Sequence, residues 1–207
     1  MITNNSYLYT LIMRIIAGTY RSRKLETLEG LKTRPTLDKT KGAIFSSIGG
    51  YLPGFVVLDV FGGSGALSLE SISRGAKEAY IIDNNIDAVN IIKKNTKNLG
   101  CEKQMHIYHG TYQTVLEKLK SKKFDVIFLD PPFRMKVIDE LMEYIIKNDM
   151  LESGGYIMAE YPMEDIINKS YEGYRVKLCR RYSSSEIIIF EKEDEYGKKN
   201  RYLSRNI

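Results

Sequence analysis

The sequence predicts an α/β protein with a mostly parallel, Rossmann-like sheet of seven strands. Short apolar runs alternate with stretches of helical spacing from residue 55 onward. Strands that alternate with helices form a doubly wound parallel sheet, because each helix returns the chain to the same edge. Two further apolar runs, 175–182 and 186–190, flank three serines and indicate a hairpin. We therefore expect antiparallel strands at one side of the sheet.

The individual elements follow from this alternation. Among the five predicted parallel strands, the first is a short apolar run, as expected for a strand that is buried on both faces. These strands are predicted at residues 55–60, 78–82, 104–108, 124–129 and 155–159. Helices are predicted at residues 36–48, 65–74, 86–99, 112–119 and 135–148. Thr36, which follows Pro35, is a suitable N-cap for the first helix.

Length and local composition divide the chain into four segments. A chain of 207 residues is long enough for one α/β domain and short for two. We place that domain at residues 36–192, after a basic arm or hairpin at 13–35. Residues 1–12 are uncharged and are expected to form a flexible extension, unless translation begins at Met13. Residues 193–207 are expected to form a charged, loose tail.

Positive charge is concentrated near the start of the chain. The net charge is +5, and residues 13–42 contain eight basic and three acidic side chains. The remaining residues carry 23 basic and 23 acidic groups, so they are neutral overall. A local excess of positive charge beside a neutral domain is typical of a surface that binds nucleic-acid phosphates. The alternative is an ordinary solvated surface.

Other classes of protein find little support in the sequence. It contains no run of 18 apolar residues, so no membrane span or membrane association is expected. The short apolar stretch at 7–16 lacks the flanking features of a signal peptide. Cys101 and Cys179 suggest neither a disulfide framework nor a metal site, and no metal cofactor is expected. We expect a cytoplasmic monomer.

A glycine-rich loop follows the first predicted strand. Residues 59–65 read Asp-Val-Phe-Gly-Gly-Ser-Gly, in which glycine allows a sharp turn and a close approach to a ligand. The spacing matches neither the G-x-G-x-x-G of dinucleotide enzymes nor a P-loop. It resembles the first motif of class I methyltransferases, which wraps the methionine part of S-adenosylmethionine. The resemblance implies cofactor contacts from Asp59, Phe61, Gly62, Gly63, Ser64 and Gly65, with Asp59 orienting the cofactor's ammonium group. The alternative is a glycine turn that caps an ordinary strand.

Polar residues after the next two strands extend this predicted cofactor site. Asp83 ends the second strand, where a carboxylate can accept hydrogen bonds from ribose hydroxyls, and Asn84 follows it. Alternatively, Asp83 merely caps the next helix. Thr111 follows the third strand at a position where many related enzymes carry an acidic residue that contacts adenine. Its hydroxyl or nearby backbone groups could replace that contact.

The most specific motif follows the fourth strand. Asp130-Pro131-Pro132-Phe133 is stiff, because both prolines fix φ and lack an N–H group. Asp130 and the Pro131 carbonyl can accept both hydrogens of an exocyclic amino group, which leaves its lone pair free to meet a methyl group. Asp130 can take the proton that is released after transfer. Phe133 can stack on the base, which must be unpaired or flipped out.

These motifs together resemble one family in particular. An (Asp/Asn)-Pro-Pro-aromatic sequence is typical of amino-methyltransferases, and the chain is most similar to the RsmD-type 16S rRNA guanine-N2 methyltransferases. The similarity rests on residues 13–18, 30–36, 59–67, 73–76 and 124–133. It departs from the usual pattern at Gly62, where Ala is common, at Thr111, and at Phe133, where Tyr is commoner.

The resemblance implies a substrate and a partner. The expected reaction methylates N2 of a guanine in 16S rRNA, with S-adenosylhomocysteine as the second product. The expected partner is the small ribosomal subunit or an assembly intermediate of it. The basic arm is assigned to RNA contacts through Tyr20, Arg21, Arg23, Lys24 and Arg34. For Tyr20, the alternative is packing within the hairpin.

Three other functions remain open at this point. A DNA adenine-N6 or cytosine-N4 methyltransferase would use the same motifs, but such enzymes usually add a target-recognition region for which this chain has little room. A non-catalytic RNA-binding or assembly factor could keep the fold without the chemistry. A nicotinamide-dependent oxidoreductase is the weakest alternative, because the glycine spacing is wrong for it.

Overall fold

The computed structural model describes residues 13–28, 36–182 and 184–193. Within them, a seven-stranded sheet is flanked by five α-helices. The strands are β1 (Val56–Asp59), β2 (Glu78–Asp83), β3 (Met105–His109), β4 (Phe124–Leu129), β5 (Leu151–Pro162), β6 (Tyr174–Tyr182) and β7 (Ser185–Lys192). The helices are α1 (Thr36–Ser47), α2 (Ala66–Ser73), α3 (Ile86–Leu99), α4 (Tyr112–Leu119) and α5 (Ile138–Lys147).

Some sequence-based expectations lie outside the described residues. They are the extension at 1–12, Arg34 with most of the 30–36 motif, and the tail beyond residue 193. In the part of the chain that is described, no helix is both long and apolar enough to cross a membrane.

The order of strands confirms the predicted fold class. The sheet runs β3-β2-β1-β4-β5-β7-β6, and the first five strands in sequence are all parallel. β7 lies antiparallel between β5 and β6, as the terminal hairpin predicted. The chain crosses from one half of the sheet to the other in the connection from β3 to β4, so the two halves meet between β1 and β4. This is a topological switch point, beside which ligands bind in open α/β sheets.

The central parallel strands β1, β2 and β4 are buried on both faces. Successive residues point to opposite sides, so Val126 and Phe128 join one apolar cluster while Ile127 and Leu129 join the other. Phe128 also packs against Phe45 of α1, with ring centroids 5.9 Å apart. The apolar runs of these strands therefore reflect two helical layers covering one sheet.

Two element boundaries differ from the prediction. α5 begins at Ile138 rather than at residue 135, because the residues after Pro132 form a loop in which Lys136 has a φ of 41°. β5 extends over Leu151–Pro162 rather than 155–159. The C-terminal end of β5 extends beyond its pairing with β4, because residues 160–162 still pair with β7. Hydrophobic periodicity in the sequence cannot show this pairing.

Residues 13–28 fold back on themselves and pack against the domain. Arg14 and Lys24 form an antiparallel bridge, and the amide of Ile15 donates to the carbonyl of Arg23 at 2.9 Å. Ile15 and Leu25 are buried in the apolar cluster that also contains Phe128. This segment is therefore part of the folded body rather than a free arm.

A buried carboxylate, Glu70 of α2, holds this segment in place. Its two oxygens accept the amides of Ile16 at 2.8 Å and Ala17 at 3.0 Å. It also pairs with Arg74 at 2.8 Å and Lys41 at 3.2 Å, and its side chain is fully buried. Burial lowers the pKa of Lys41, and the carboxylate opposes that shift. The cluster is costly to bury but is fully hydrogen-bonded.

Replacing Glu70 with alanine is expected to destabilise the fold strongly. The change removes the acceptor of two part-buried amides and, among the described residues, the only carboxylate paired with two buried basic groups, which costs about 3–5 kcal/mol. Chemical denaturation would measure the loss, and limited proteolysis would show cleavage within residues 13–28. Glu117→Ala is the control, because Glu117 is exposed and pairs only on the surface. Equal stability of the two variants would contradict this role for Glu70.

Candidate active site

The predicted site residues of four strands meet at one edge of the sheet. They line a cleft of about 640 Å³. Its wall includes Phe61 and Gly63 after β1, Asp83 and Asn84 after β2, Thr111 after β3, and residues 130–133 after β4. A cleft of this volume is in the range that holds a cofactor-sized molecule. The tetrapeptide and the glycine loop thus form one site.

The glycine loop turns by adopting backbone conformations that other residues avoid. Gly63 and Gly65 have φ values of 56° and 78°. The Gly65 amide donates to the Gly62 carbonyl at 2.7 Å, which closes the turn. A Cβ atom on Gly62 would come within 2.3 Å of Ile81, so the alanine common in relatives would not fit here without a shift. A Cβ on Gly63 would meet nothing within 4 Å, because this face opens to the cleft.

Asp83 connects the glycine loop to the second strand. One carboxylate oxygen accepts the amide of Gly63 and the other accepts the amide of Asn85, both at 2.8 Å. The N-cap of α3 is Asn85, whose side chain accepts the amide of Asp87. Asp83 is therefore not the helix cap that the alternative interpretation required. Its side chain lines the cleft with acceptor capacity left for a ligand.

Asp59 is a buried carboxylate with an unused acceptor. Its Oδ2 accepts the hydroxyl of Ser68 at 3.0 Å. Its Oδ1 has no hydrogen-bond partner among the described residues, although the side chain is 1% exposed. Burial raises the pKa of Asp59 to about 6, and the Ser68 hydrogen bond only partly offsets this. A buried acceptor of this kind fits a positively charged donor.

A smaller cavity of about 190 Å³ adjoins the main cleft. The two share Phe61, Gly63 and Asp130 as walls. The smaller cavity is also lined by Asp59 and by Glu160, which lies near the end of β5. Asp130 therefore stands between two compartments, and two further carboxylates face the smaller one.

Residues 130–133 follow β4 and line the main cleft. Pro131 is buried, while Asp130 and Phe133 are half-buried and line the main cleft. The Met135 amide donates to the Pro132 carbonyl at 2.9 Å and closes a turn after the two prolines. A carboxylate and a rigid main chain therefore lie side by side at the mouth of the sheet. This arrangement can accept both hydrogens of an amino group.

Thr111 has a structural role that the sequence did not assign to it. It is the N-cap of α4, and its hydroxyl lies 3.0 Å from that of Thr114. Thr111 also borders the cleft, next to Gly110. The helix cap accounts for a threonine at this position, where the family pattern has an acidic residue.

The described residues of the predicted RNA surface lie away from the cleft. The amide of Tyr20 donates to Ser73, the last residue of α2, and the guanidinium of Arg23 donates to the carbonyl of Asn98 near the end of α3. Both helices begin at the cleft, so these contacts lie at their far ends. Tyr20 is half-buried against the domain, whereas Arg21, Arg23 and Lys24 are exposed. The structure does not bring these residues to the reacting groups.

Glu160 is the site residue that the sequence reasoning missed. The predicted strand at 155–159 ends immediately before Glu160, as the predicted strand at 124–129 ends before Asp130, and this signal could have identified it. Among the described residues, no group of three His, Cys, Asp or Glu side chains is placed to hold a metal ion.

Comparisons with known proteins agree with these motifs. The family model described as "Conserved hypothetical protein 95" matches residues 13–191. YlbH of Bacillus subtilis is 33% identical over 182 residues, which cover 87% of this chain and 99% of that protein. The ribosomal RNA small subunit methyltransferase D of Haemophilus influenzae is 35% identical over 150 residues, 72% of this chain and 78% of that protein.

A solved structure is similar across nearly the whole chain. The Escherichia coli protein yhhF aligns with a TM-score of 0.78 and 27% identity, and the alignment covers 87% of this chain and 97% of that one. The shared fold therefore includes both the glycine loop and the strand that carries the tetrapeptide.

The buried carboxyl of Asp59 is expected to make stability depend on pH. Because its pKa is raised in the folded chain, the cost of burying the charge is absent below about pH 4 and complete above about pH 6. The unfolding free energy of Asp59→Asn, relative to the parent, should therefore rise by roughly 3 kcal/mol between pH 4 and pH 7. Denaturant titrations across this range test this. The exposed Asp87→Asn serves as control, and a difference that does not change with pH would refute the assignment.

Proposed function

The chain belongs to the RsmD-type rRNA methyltransferase family, the family described as conserved hypothetical protein 95, and from this premise we propose its reaction. We propose that it transfers a methyl group from S-adenosylmethionine to the N2 amino group of a guanine in 16S rRNA. One observation carries the proposal. The Asp130–Phe133 tetrapeptide lines a cleft at the switch point of the sheet together with Phe61 and Gly63 of the glycine loop, and Gly62 and Ser64 line the adjoining cavity.

The residues of the site fit the proposed cofactor. S-adenosylmethionine supplies an electrophilic methyl group on a sulfonium centre when it is bound. The unpartnered Oδ1 of Asp59 would accept its ammonium group, and Asp83 would accept its ribose hydroxyls. Gly63 leaves open the space that any larger side chain would fill. The adenine end would lie towards Thr111, at the far end of the cleft.

Asp130 and the Pro131 carbonyl prepare the nucleophile. An exocyclic amino group reacts poorly because its lone pair is delocalised into the ring. Two acceptors that hold both N–H bonds direct the lone pair towards the methyl donor, which is a positioning effect. Once the nitrogen carries the methyl group, it is positively charged and acidic. Asp130 then takes up the proton.

The target base must leave its helix to reach Asp130. Phe133 borders the cleft next to Asp130 and offers an aromatic face on which the base can stack, worth roughly 1–3 kcal/mol. Met135 lines the same wall. A base in this position would be unpaired or flipped out of the stack.

The choice of rRNA and of guanine draws on the relatives and on the charge distribution. The H. influenzae relative is named for methylation of small-subunit ribosomal RNA. The excess of positive charge between residues 13 and 42 suits a structured RNA that is recognised largely by shape and phosphates. The exposed side chains of Arg21, Arg23 and Lys24 would contact rRNA at a distance from the reacting base.

A methyl-transfer assay tests the proposal directly. Small subunits from a strain that lacks this enzyme would be incubated with tritium-labelled S-adenosylmethionine, and the RNA digested to nucleosides. We expect label in N2-methylguanosine. Label in adenine or cytosine would retain the chemistry and overturn the target. Cofactor binding without any label would exclude small-subunit rRNA as the substrate.

Asp130→Ala is expected to abolish transfer while leaving the cofactor bound. The variant removes one acceptor of the amino group and the proton acceptor, so turnover should fall at least 100-fold. Affinity for S-adenosylmethionine, measured by calorimetry, is the internal control and should stay within about threefold. An active Asp130→Ala enzyme would refute the proposed mechanism.

Gly63→Val is expected to block the cofactor. Its side chain would project into the cleft, where a Cβ now meets open space. Gly100→Val is a matched control, because Gly100 has a similar φ of 71° and equally open surroundings at the end of α3. We expect a loss of S-adenosylmethionine affinity of at least tenfold in the first variant only. Similar affinities for both variants would show that Gly63 does not face the cofactor.

Neutralising Arg21, Arg23 and Lys24 together is expected to weaken RNA binding and flatten its salt dependence. Each lost phosphate contact lowers the slope of log K against log salt by about 0.7–0.9. Replacing Lys118, Lys120 and Lys123 with glutamine gives a control of equal charge near the end of α4, which packs on the other face of the sheet from α2 and α3. A wild-type slope in the first variant would move the RNA surface elsewhere, for example to Arg134 and Lys136 beside the cleft.

A further inference from the structure

Glu160 occupies the same position on β5 that Asp130 occupies on β4. The two strands are parallel neighbours, and Leu129 is in register with Ala159. The residues that follow these two are therefore adjacent and point to the same side of the sheet. Both line the smaller cavity of about 190 Å³. A second carboxylate thus lies next to the proposed reacting group.

A buried hydroxyl fixes the orientation of Glu160. The side chain of Ser185, at the start of β7, donates to Glu160 Oε1 at 2.7 Å and is 2% exposed. Glu160 is half-buried, and no other hydrogen bond from a described residue reaches its carboxylate. One oxygen is therefore held by the protein, and the other keeps its capacity to accept from a ligand in the cavity.

The order of strands places Glu160 on the opposite side of Asp130 from Asp59, although both carboxylates line the smaller cavity. β4 lies between β1 and β5, so Asp59 and Glu160 flank Asp130 from opposite sides. Neighbouring strands are about 4.8 Å apart, which puts the strand of Glu160 about 10 Å from that of the glycine loop. The reacting amino group belongs at Asp130, between the two. Glu160 is thus placed beside the group that neighbours this amine on the base.

We propose that Glu160 is a specificity-determining residue that accepts the N1–H of the target guanine; this rests on the proposed function. Guanine presents N1–H next to its N2 amino group, so two adjacent donors face two adjacent carboxylates, Glu160 and Asp130. Adenine and cytosine carry an unprotonated ring nitrogen beside their amino group. An ionised carboxylate can only accept, so it repels that nitrogen. The site therefore selects guanine by rejecting the other amino bases.

The test replaces the N1–H donor rather than the whole base. Once the methylated guanine has been mapped, small subunits are reconstituted with 2-aminopurine at that position, which keeps the amino group but lacks N1–H. Wild-type enzyme is expected to prefer guanine by about 10- to 100-fold in kcat/KM. Glu160→Gln is expected to reduce this preference to within about threefold, because an amide can also donate.

Two further variants separate this role from a structural one. Glu164→Gln removes the same charge from an exposed position on the loop after β5 and should keep the wild-type preference. Ser185→Ala frees the Glu160 carboxylate without changing its charge and should lower the preference in part. S-adenosylmethionine affinity should be unchanged in all three variants.

The outcomes are distinct. An unchanged guanine preference in Glu160→Gln overturns the role of Glu160, and so does a tenfold loss of cofactor affinity in that variant, which would assign the carboxylate to the cofactor. If wild-type enzyme forms no N2-methylguanosine on normal subunits, the proposed function itself fails, together with this inference.

Discussion

The parallel register of β1, β2, β4 and β5 is the constraint on which the site depends. β1 and β2 end in a carboxylate, β4 is followed at once by one and β5 carries one near its end, and the parallel arrangement brings these groups to one edge. The register holds because the central strands are buried on both faces, so a slip of one residue would move every apolar side chain to the wrong layer. The four acidic groups are Asp59, Asp83, Asp130 and Glu160. Packing of the core therefore fixes the relative positions of the four acidic side chains.

These carboxylates differ in the number of hydrogen bonds that they accept from the protein. Asp83 receives two backbone amides, Glu160 receives one hydroxyl, and Asp59 is left with a buried oxygen that lacks a described donor. Burial raises the pKa of Asp59 to about 6, which is a cost in the folded chain without a ligand. A site that keeps unsatisfied acceptors is matched to ligands that bring donors. The proposed cofactor brings a cation, and the proposed base brings adjacent N–H groups.

Glu70 performs a different task from these acidic residues. It is saturated with partners, so it holds residues 13–28 on the α2 face and offers nothing to a ligand. This anchoring directs the exposed cations of that segment to the far ends of α2 and α3, a helix length from the cleft. An RNA bound to these cations would contact the protein at a distance from the reacting base, which fits a large structured substrate.

Local residue patterns were enough to predict the fold class, the antiparallel terminal hairpin, and the placement of the glycine loop and Asp130–Phe133 at the ends of the strands. They carry this information because buried parallel strands require apolar runs, and a stiff Asp-Pro-Pro turn requires its own sequence. Tertiary structure alone decided the rest. The extent of β5 depends on pairing with β7, the cap role of Thr111 depends on α4, and the docking of residues 13–28 depends on Glu70, 53 and 54 positions away from the amides it accepts. Glu160 becomes a site residue only because the register sets it beside Asp130. The pairing with β7, the docking on Glu70 and the register of β4 with β5 join residues that are distant in sequence, so a local pattern does not specify those contacts.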